Sequence, residues 1–135
     1  MDIDPNIMIR RYYDEMWNRW HFDLAEEILA PELRFRGSLG TEVRGVKEFQ
    51  AYMRSVQAAF PDFHNRIEEL IVEGDRAAVR LTYEGTHRGE IFGAAPTEKR
   101  ITYAGAAFFR LSGARIAEGW VLGDLHSLQK QLGVI

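Results

Sequence analysis

Apolar positions recur every three or four residues through the first half of the chain and every second residue through much of the second half. Ile9, Tyr13, Met16, Trp17 and Trp20 form a helical stripe that starts just after Asp4-Pro5, an acidic cap followed by a proline suited to a first helical turn. A second, short helix is predicted in "FDLAEEILAPEL", with Asp23 as cap, Glu26 closing a capping box and Pro31 marking the stop. A third runs from about Val46 to Phe60, with Val46, Phe49, Met53, Val56 and Phe60 on one face and Pro61 ending it. Between the last two helices, "LRFRGS" reads as a short strand.

From "DFHNRIEELIVEGDRAAVRLTYEGTHRG" onward the period changes to two. Ala77, Val79, Leu81 and Tyr83 alternate with Arg76, Ala78, Arg80, Thr82 and Glu84, the signature of a strand with two unlike faces. Gly74-Asp75 joins this strand to the one before it, and Ser112-Gly113 hinges a second pair in "KRITYAGAAFFRLSGARIAEGWVLGD". Helices followed by long strands predict an α+β fold, with an antiparallel sheet covering the helices on one face. The chain shows no repeat, low-complexity tract or linker, so residues 1–135 are read as one domain. Its one long irregular connection, "GEIFGAAPTEK", has the character of a pocket lid.

Composition narrows the classes. With 135 residues and 46% apolar content the chain can bury a real core, since a domain near this size hides roughly 70% of its unfolded surface. The 17 basic and 20 acidic side chains are interspersed, which argues against nucleic acid and against a membrane as partners. Cysteine is absent, which removes disulfides, thiolate metal sites and a cysteine nucleophile. The start, "MDIDPNIMIRR", lacks the layout of a signal peptide, and the expectation is a cytoplasmic protein.

Candidate chemistry gathers around Asp124. Counting back along its strand gives Leu122, Trp120 and Glu118 on the same face. If that face is inward, the carboxylate closes an apolar wall and suits general acid/base work. The other reading makes Asp124 the N-cap of the helix "LHSLQKQLG". His21, His64, His87 and His126 fall in separate segments without metal-ligand spacing, so no metal is expected. His87, in "YEGTHRG", could orient a substrate oxygen or stand exposed in a loop. The serines lack a G-x-S-x-G elbow and "GTHRGEIFG" lacks a phosphate-loop ending, so hydrolase triads and nucleotide binding are set aside. Gly105-Ala106-Ala107 leaves space on whichever strand face it presents.

In order along the chain come Phe60-Pro61-Asp62, Glu73-Gly74-Asp75, Gly85-Thr86-His87 with Gly89, Phe92-Gly93, Pro96-Thr97, and Trp120 to Asp124 to Gln131-Leu132-Gly133. This order resembles the SnoaL-like polyketide cyclases of the nuclear transport factor 2-like superfamily. The resemblance implies a cone-like α+β barrel, also termed cystatin-like, in which a strongly curved antiparallel sheet wraps N-terminal helices around a deep apolar pocket. It further implies pairing into a homodimer through the sheets. It also implies a cofactor-free aldol closure of a hydrophobic polyketide-like substrate, with Asp124 as acid/base and His87 on the enolate oxygen. Trp120, Phe92, Phe35, Tyr12, Met53, Phe60, Tyr103 and Leu122 would line the pocket. The family's Pro-Pro-Thr-Gly is here Ala95-Pro96-Thr97-Glu98, and His126 stands beside the site.

Two alternatives use the same fold. A ketosteroid isomerase-like or epoxide hydrolase-like enzyme would recruit Arg80 or Glu118, with an inward Arg80 paired to Asp124. A non-catalytic binding or dimerisation domain would leave Asp124 exposed or only capping.

Overall fold

The computed structural model describes residues 4–135. Helix α1 (Pro5–Arg11) starts as the sequence predicts, with Asp4 Oδ1 accepting the Asn6 N–H at 2.9 Å. It then widens into a π-helical segment, Tyr12–Trp17, marked by bonds five residues back from Asn18 N to Tyr13 O and from His21 N to Met16 O. The extra residue per turn turns both Tyr12 and Tyr13 inward, together with Met16 and Trp17.

Helix α2 is only Leu24–Ile28, and Asp23 makes no side-chain cap there. Backbone bonds from Leu24, Ala25 and Glu26 to His21, Phe22 and Asp23 satisfy that end instead, so no capping box is needed. Strand β1 (Leu29–Arg36) begins before Pro31, which is exposed within it. The chain therefore leaves the helix at Ile28, three residues before the proline read as its stop. Strand β2 is Glu42–Arg44 and helix α3 is Gly45–Ala59, with Phe49, Met53, Val56 and Phe60 buried as its periodicity requires.

Strands β3 (His64–Glu73), β4 (Arg76–Thr86), β5 (Arg100–Ser112) and β6 (Arg115–Gly123) follow, then helix α4 (Leu125–Leu132). They form one curved sheet in the order β2-β1-β6-β5-β4-β3. This is the expected α+β cone with two corrections. The sheet stays open, since β2 and β3 are its edges, and it is mixed, because β1 runs parallel to β6.

The inner face carries the odd-numbered positions of β4, Ala77 to Gly85, which pack against α1, and Tyr83 shares a small cavity with residues of the π-helical segment and α3. The room left by Gly105 is taken by the Tyr83 ring, and Gly37 is covered in the same way by Tyr52. A Cβ at Gly123 would stand 2.8 Å from Ser38 O and 3.0 Å from the Tyr103 ring.

The connection after β4 is pinned to the end of α3. Arg88 and Gly89 N–H both donate to Ala59 O, and a side chain at Gly89 would strike the Ala58 carbonyl. Backbone cannot yield there as a flexible side chain could, so Gly89→Ala is expected to cost about 1–3 kcal/mol. Chemical denaturation measures this, and an unchanged midpoint would show that the loop docks differently.

Candidate functional site in the cone

The face shared by Glu118, Trp120, Leu122 and Asp124 is the outer one. Phe108, Trp120 and Leu122 are 54%, 46% and 53% exposed, and Trp120 lies opposite Phe108 with ring centroids 6.1 Å apart. Trp120 and Leu122 therefore do not line the interior. The reason is steric: Phe35 and Tyr103 already fill the space inside β6, leaving Gly119, Val121 and Gly123 as the inward residues. Arg80 and Glu118 are on the same outer face, paired with Glu69 at 3.6 Å and with Arg110 at 3.2 Å. The bond from Arg110 holds the Glu118 carboxyl below its ordinary range. No Arg80–Asp124 pair forms, so the arrangement that would favour an epoxide hydrolase is absent among the described residues.

Asp124 is exposed and caps α4, its Oδ1 accepting the Ser127 N–H at 3.1 Å while its own N–H donates to Ala104 O. It directly follows Gly123, whose inner side lies against Ser38 and Tyr103. His126 is exposed on the following turn.

His87 is fully buried and continues the inward parity of β4. Its Nδ1 accepts the Thr97 N–H at 3.1 Å and lies 2.9 Å from Thr97 Oγ1. An acceptor at Nδ1 places the proton of the neutral ring on Nε2. That Nε2 has no hydrogen-bond partner among the described residues. The Phe60 ring packs beside it with centroids 5.9 Å apart. The structure thus replaces the exposed-loop reading of His87 with a dry, oriented donor. Phe92, at φ 53°, is half-buried on the lid, and Met53 and Phe60 are fully buried in the core.

The inner cavity, bordered by Tyr12, Phe35 and their neighbours, measures about 20 Å³. All five tyrosines of the chain are buried around it or next to it. Tyr103 Oη lies 3.0 Å from Ser38 Oγ. Burial pushes the Tyr52 hydroxyl up to about 12 and raises the other four above their ordinary range as well, so all stay protonated near neutrality. Sequence reasoning offered Tyr12, Tyr83 and Tyr103 among the aromatics able to line a cavity but not Tyr13, Tyr52 or Ser38. Alternation along β4 does place Tyr83 inward, but nothing local shows that Tyr52 and Tyr13 reach the same point.

The model of the SnoaL-like polyketide cyclases matches residues 7–132. The chain belongs to this family. The SnoaL-like cone is shared with IdmH from Streptomyces antibioticus, described as a candidate polyketide cyclase, at 25% identity and TM-score 0.85 over 97% of this chain and 99% of that one. AclR from Streptomyces galilaeus, described as a candidate hydroxylase, is 28% identical with TM-score 0.76 over 89% of each chain. TsrD from Streptomyces laurentii, at 24% identity and TM-score 0.87 over 99% of this chain and 100% of that one, shares the fold. No match was found among curated proteins. Among the described residues no helix is long and apolar enough to cross a membrane.

Asp124 has a structural duty whatever its chemistry. Asp124→Ala is expected to destabilise the protein by about 1 kcal/mol through the lost cap, and Asp124→Asn, which keeps an acceptor oxygen, by much less. Urea unfolding of both variants checks this.

Proposed function

We propose that this SnoaL-like protein is a cofactor-independent cyclase acting on a hydrophobic, polyketide-like carbonyl compound held in the cone. The observation that carries the reading is the His87 Nε2–H, buried without a partner beside an aromatic wall. A buried donor left unpaired costs about 1–3 kcal/mol, and an incoming carbonyl oxygen would relieve that cost. As that oxygen becomes an enolate the same bond strengthens, which is transition-state stabilisation by a preorganised neutral donor.

Asp124 is the acid/base in this scheme. Its carboxylate turns from the Ser127 N–H toward substrate at the rim and removes an acidic C–H proton. The enolate carbon attacks a second carbonyl of the same molecule, and the Asp124 carboxyl returns its proton to the new alkoxide. Substrate and product have equal mass, and no redox partner is needed.

A non-catalytic ligand-binding role is the second reading. The exposed, capping Asp124 and the small inner cavity favour it.

We propose in addition that the protein pairs into a homodimer through its sheets. The outer patch of Phe108, Trp120 and Leu122 suits a second copy of the chain. A groove of about 760 Å³ crosses that face and includes Arg34, Arg36 and Arg44 on the β1–β2 side, while β3 exposes Glu69 and Glu73. A two-fold axis along the strands would lay one copy's arginine side over the other's glutamate side.

Polyketide esters carrying an activated C–H test the chemistry, followed by chromatography or absorbance. Wild type should convert at least one; Asp124→Asn should lose roughly 100-fold or more in turnover, and His87→Phe should weaken it comparably. Binding without conversion would move the assignment to the second reading. For the dimer, sedimentation equilibrium should show two copies for the wild type and one for Trp120→Glu; a monomeric wild type would end that proposal.

A further inference from the structure

Every polar group of His87 but one is tied to the far end of its own loop. Its N–H donates to Lys99 O and its carbonyl accepts the Glu98 N–H, both at 2.9 Å. Its Nδ1 meets the Thr97 N–H at 3.1 Å and Thr97 Oγ1 at 2.9 Å. Only Nε2 is left without a partner among the described residues.

The two contacts at Nδ1 work together. An N–H can only donate, so the Thr97 N–H excludes a proton from Nδ1 for as long as it stays there. Thr97 Oγ1 accepts the Lys99 N–H at 3.2 Å, which leaves its own proton free to turn to Nδ1. One residue thus grips one edge of the ring, while Phe60 packs beside it.

That residue is carried by the lid. After Arg88 and Gly89 bond to Ala59 O, the chain from Glu90 to Pro96 forms hydrogen bonds only within itself among the described residues, between Ile91 and Ala94 and from the Gly93 N–H to Glu90 Oε1. An Arg88–Glu98 ion pair at 3.3 Å closes the base of the loop. Ile91 and Phe92 pack on the core, yet Phe92 and Glu98 hold φ of 53° and 61°, a left-handed backbone that costs any residue with a Cβ. His87 is fully buried, so a ligand meets Nε2 only when part of its cover moves, and the lid is hydrogen-bonded to the body at its ends alone.

We infer that Thr97 is a positioning residue for His87 and that the Nε2–H donor is set only while the lid is closed. Opening the loop to admit a ligand withdraws Thr97 from Nδ1 and frees the ring to take either tautomer. Closing it behind the ligand restores the grip and fixes the proton on Nε2. The inference rests on His87 being the donor of the proposed function. It gives Thr97 no contact with the reacting atoms.

Heteronuclear NMR of the histidine ring nitrogens in the ligand-free protein tests the grip. Diethyl pyrocarbonate labelling, read by peptide mass spectrometry, tests the lid, with the exposed His21, His64 and His126 as internal references. In the wild type His87 should show the Nε2–H tautomer alone and label at least roughly tenfold more slowly than the other three. Thr97→Val removes the hydroxyl but keeps the backbone bonds at residues 97–99, so it should stay folded. Its Nδ1 resonance should move toward that of a less strongly bonded acceptor, and labelling of His87 should rise roughly three- to tenfold. Thr97→Ser should restore both readings. An Nδ1–H tautomer in the wild type, His87 labelled as fast as the exposed histidines, or Thr97→Val with both readings unchanged would each overturn the inference. Both measurements use the empty protein, so they decide the role of Thr97 whatever the polyketide esters do. A gripped, protected His87 in a protein without turnover would sink the cyclase alone.

Discussion

The close seating of aromatic rings on glycines inside the curved sheet governs the rest of the structure. Tyr83 lies on Gly105, Phe35 on Gly119 and Tyr52 on Gly37, each where a Cβ would collide with the ring. A strand that gives up its side chain lets a large ring from a neighbouring element lie flat against backbone, which draws the sheet around the helices. It also decides which residues face out. With Phe35 and Tyr103 filling the space behind β6, the bulky Trp120 and Leu122 have no place inside, and the outer face becomes apolar in its turn.

That inversion marks the limit of what the sequence could reveal. Periodicity recovered α1, α3, the β3–β4 pair and the two faces of β4, because each is settled by its own residues. It could not say which face of β6 is internal, since Gly119, Val121 and Gly123 look like the weaker face until Phe35 and Tyr103 are set beside them. The π-helical segment was equally hidden, as Tyr12 and Tyr13 look no different in sequence from neighbours on an ordinary helix. The burial of His87 depends on Thr97, ten positions away, and on the loop between them folding back. Local chemistry left His87 open between orienting a substrate and standing exposed in a loop, and the family order of motifs took it as a pocket residue.

Several of those motifs prove to hold the fold together. Asp62 of Phe60-Pro61-Asp62 accepts the Thr86 N–H and hydroxyl and the Arg100 guanidinium, and Gly85 lies against the Phe60 side chain. Burial works against the Asp62 charge, but the bonds from Thr86 and the nearby Arg100 outweigh it and hold the carboxyl below its ordinary range. Gln131 brackets the backbone of Thr102 with both ends of its amide, docking α4 on β5, and Gly133 ends α4 at φ 79°. The run from Trp120 to Gly133 therefore fixes where Asp124 stands, independently of what its carboxylate does.

Beside these supports stands one buried donor with nothing to donate to. His87 Nε2 is buried without a partner among the described residues and lowers the stability of the empty protein. Asp62 and Gln131 show that this chain satisfies its polar groups even at exposed junctions. An unpaired donor in so protected a position is a cost that an acceptor oxygen from a ligand would remove. In the proposed cyclase, binding and catalysis would draw on one source, the free energy withheld from folding at His87 and released when a carbonyl oxygen meets its Nε2–H.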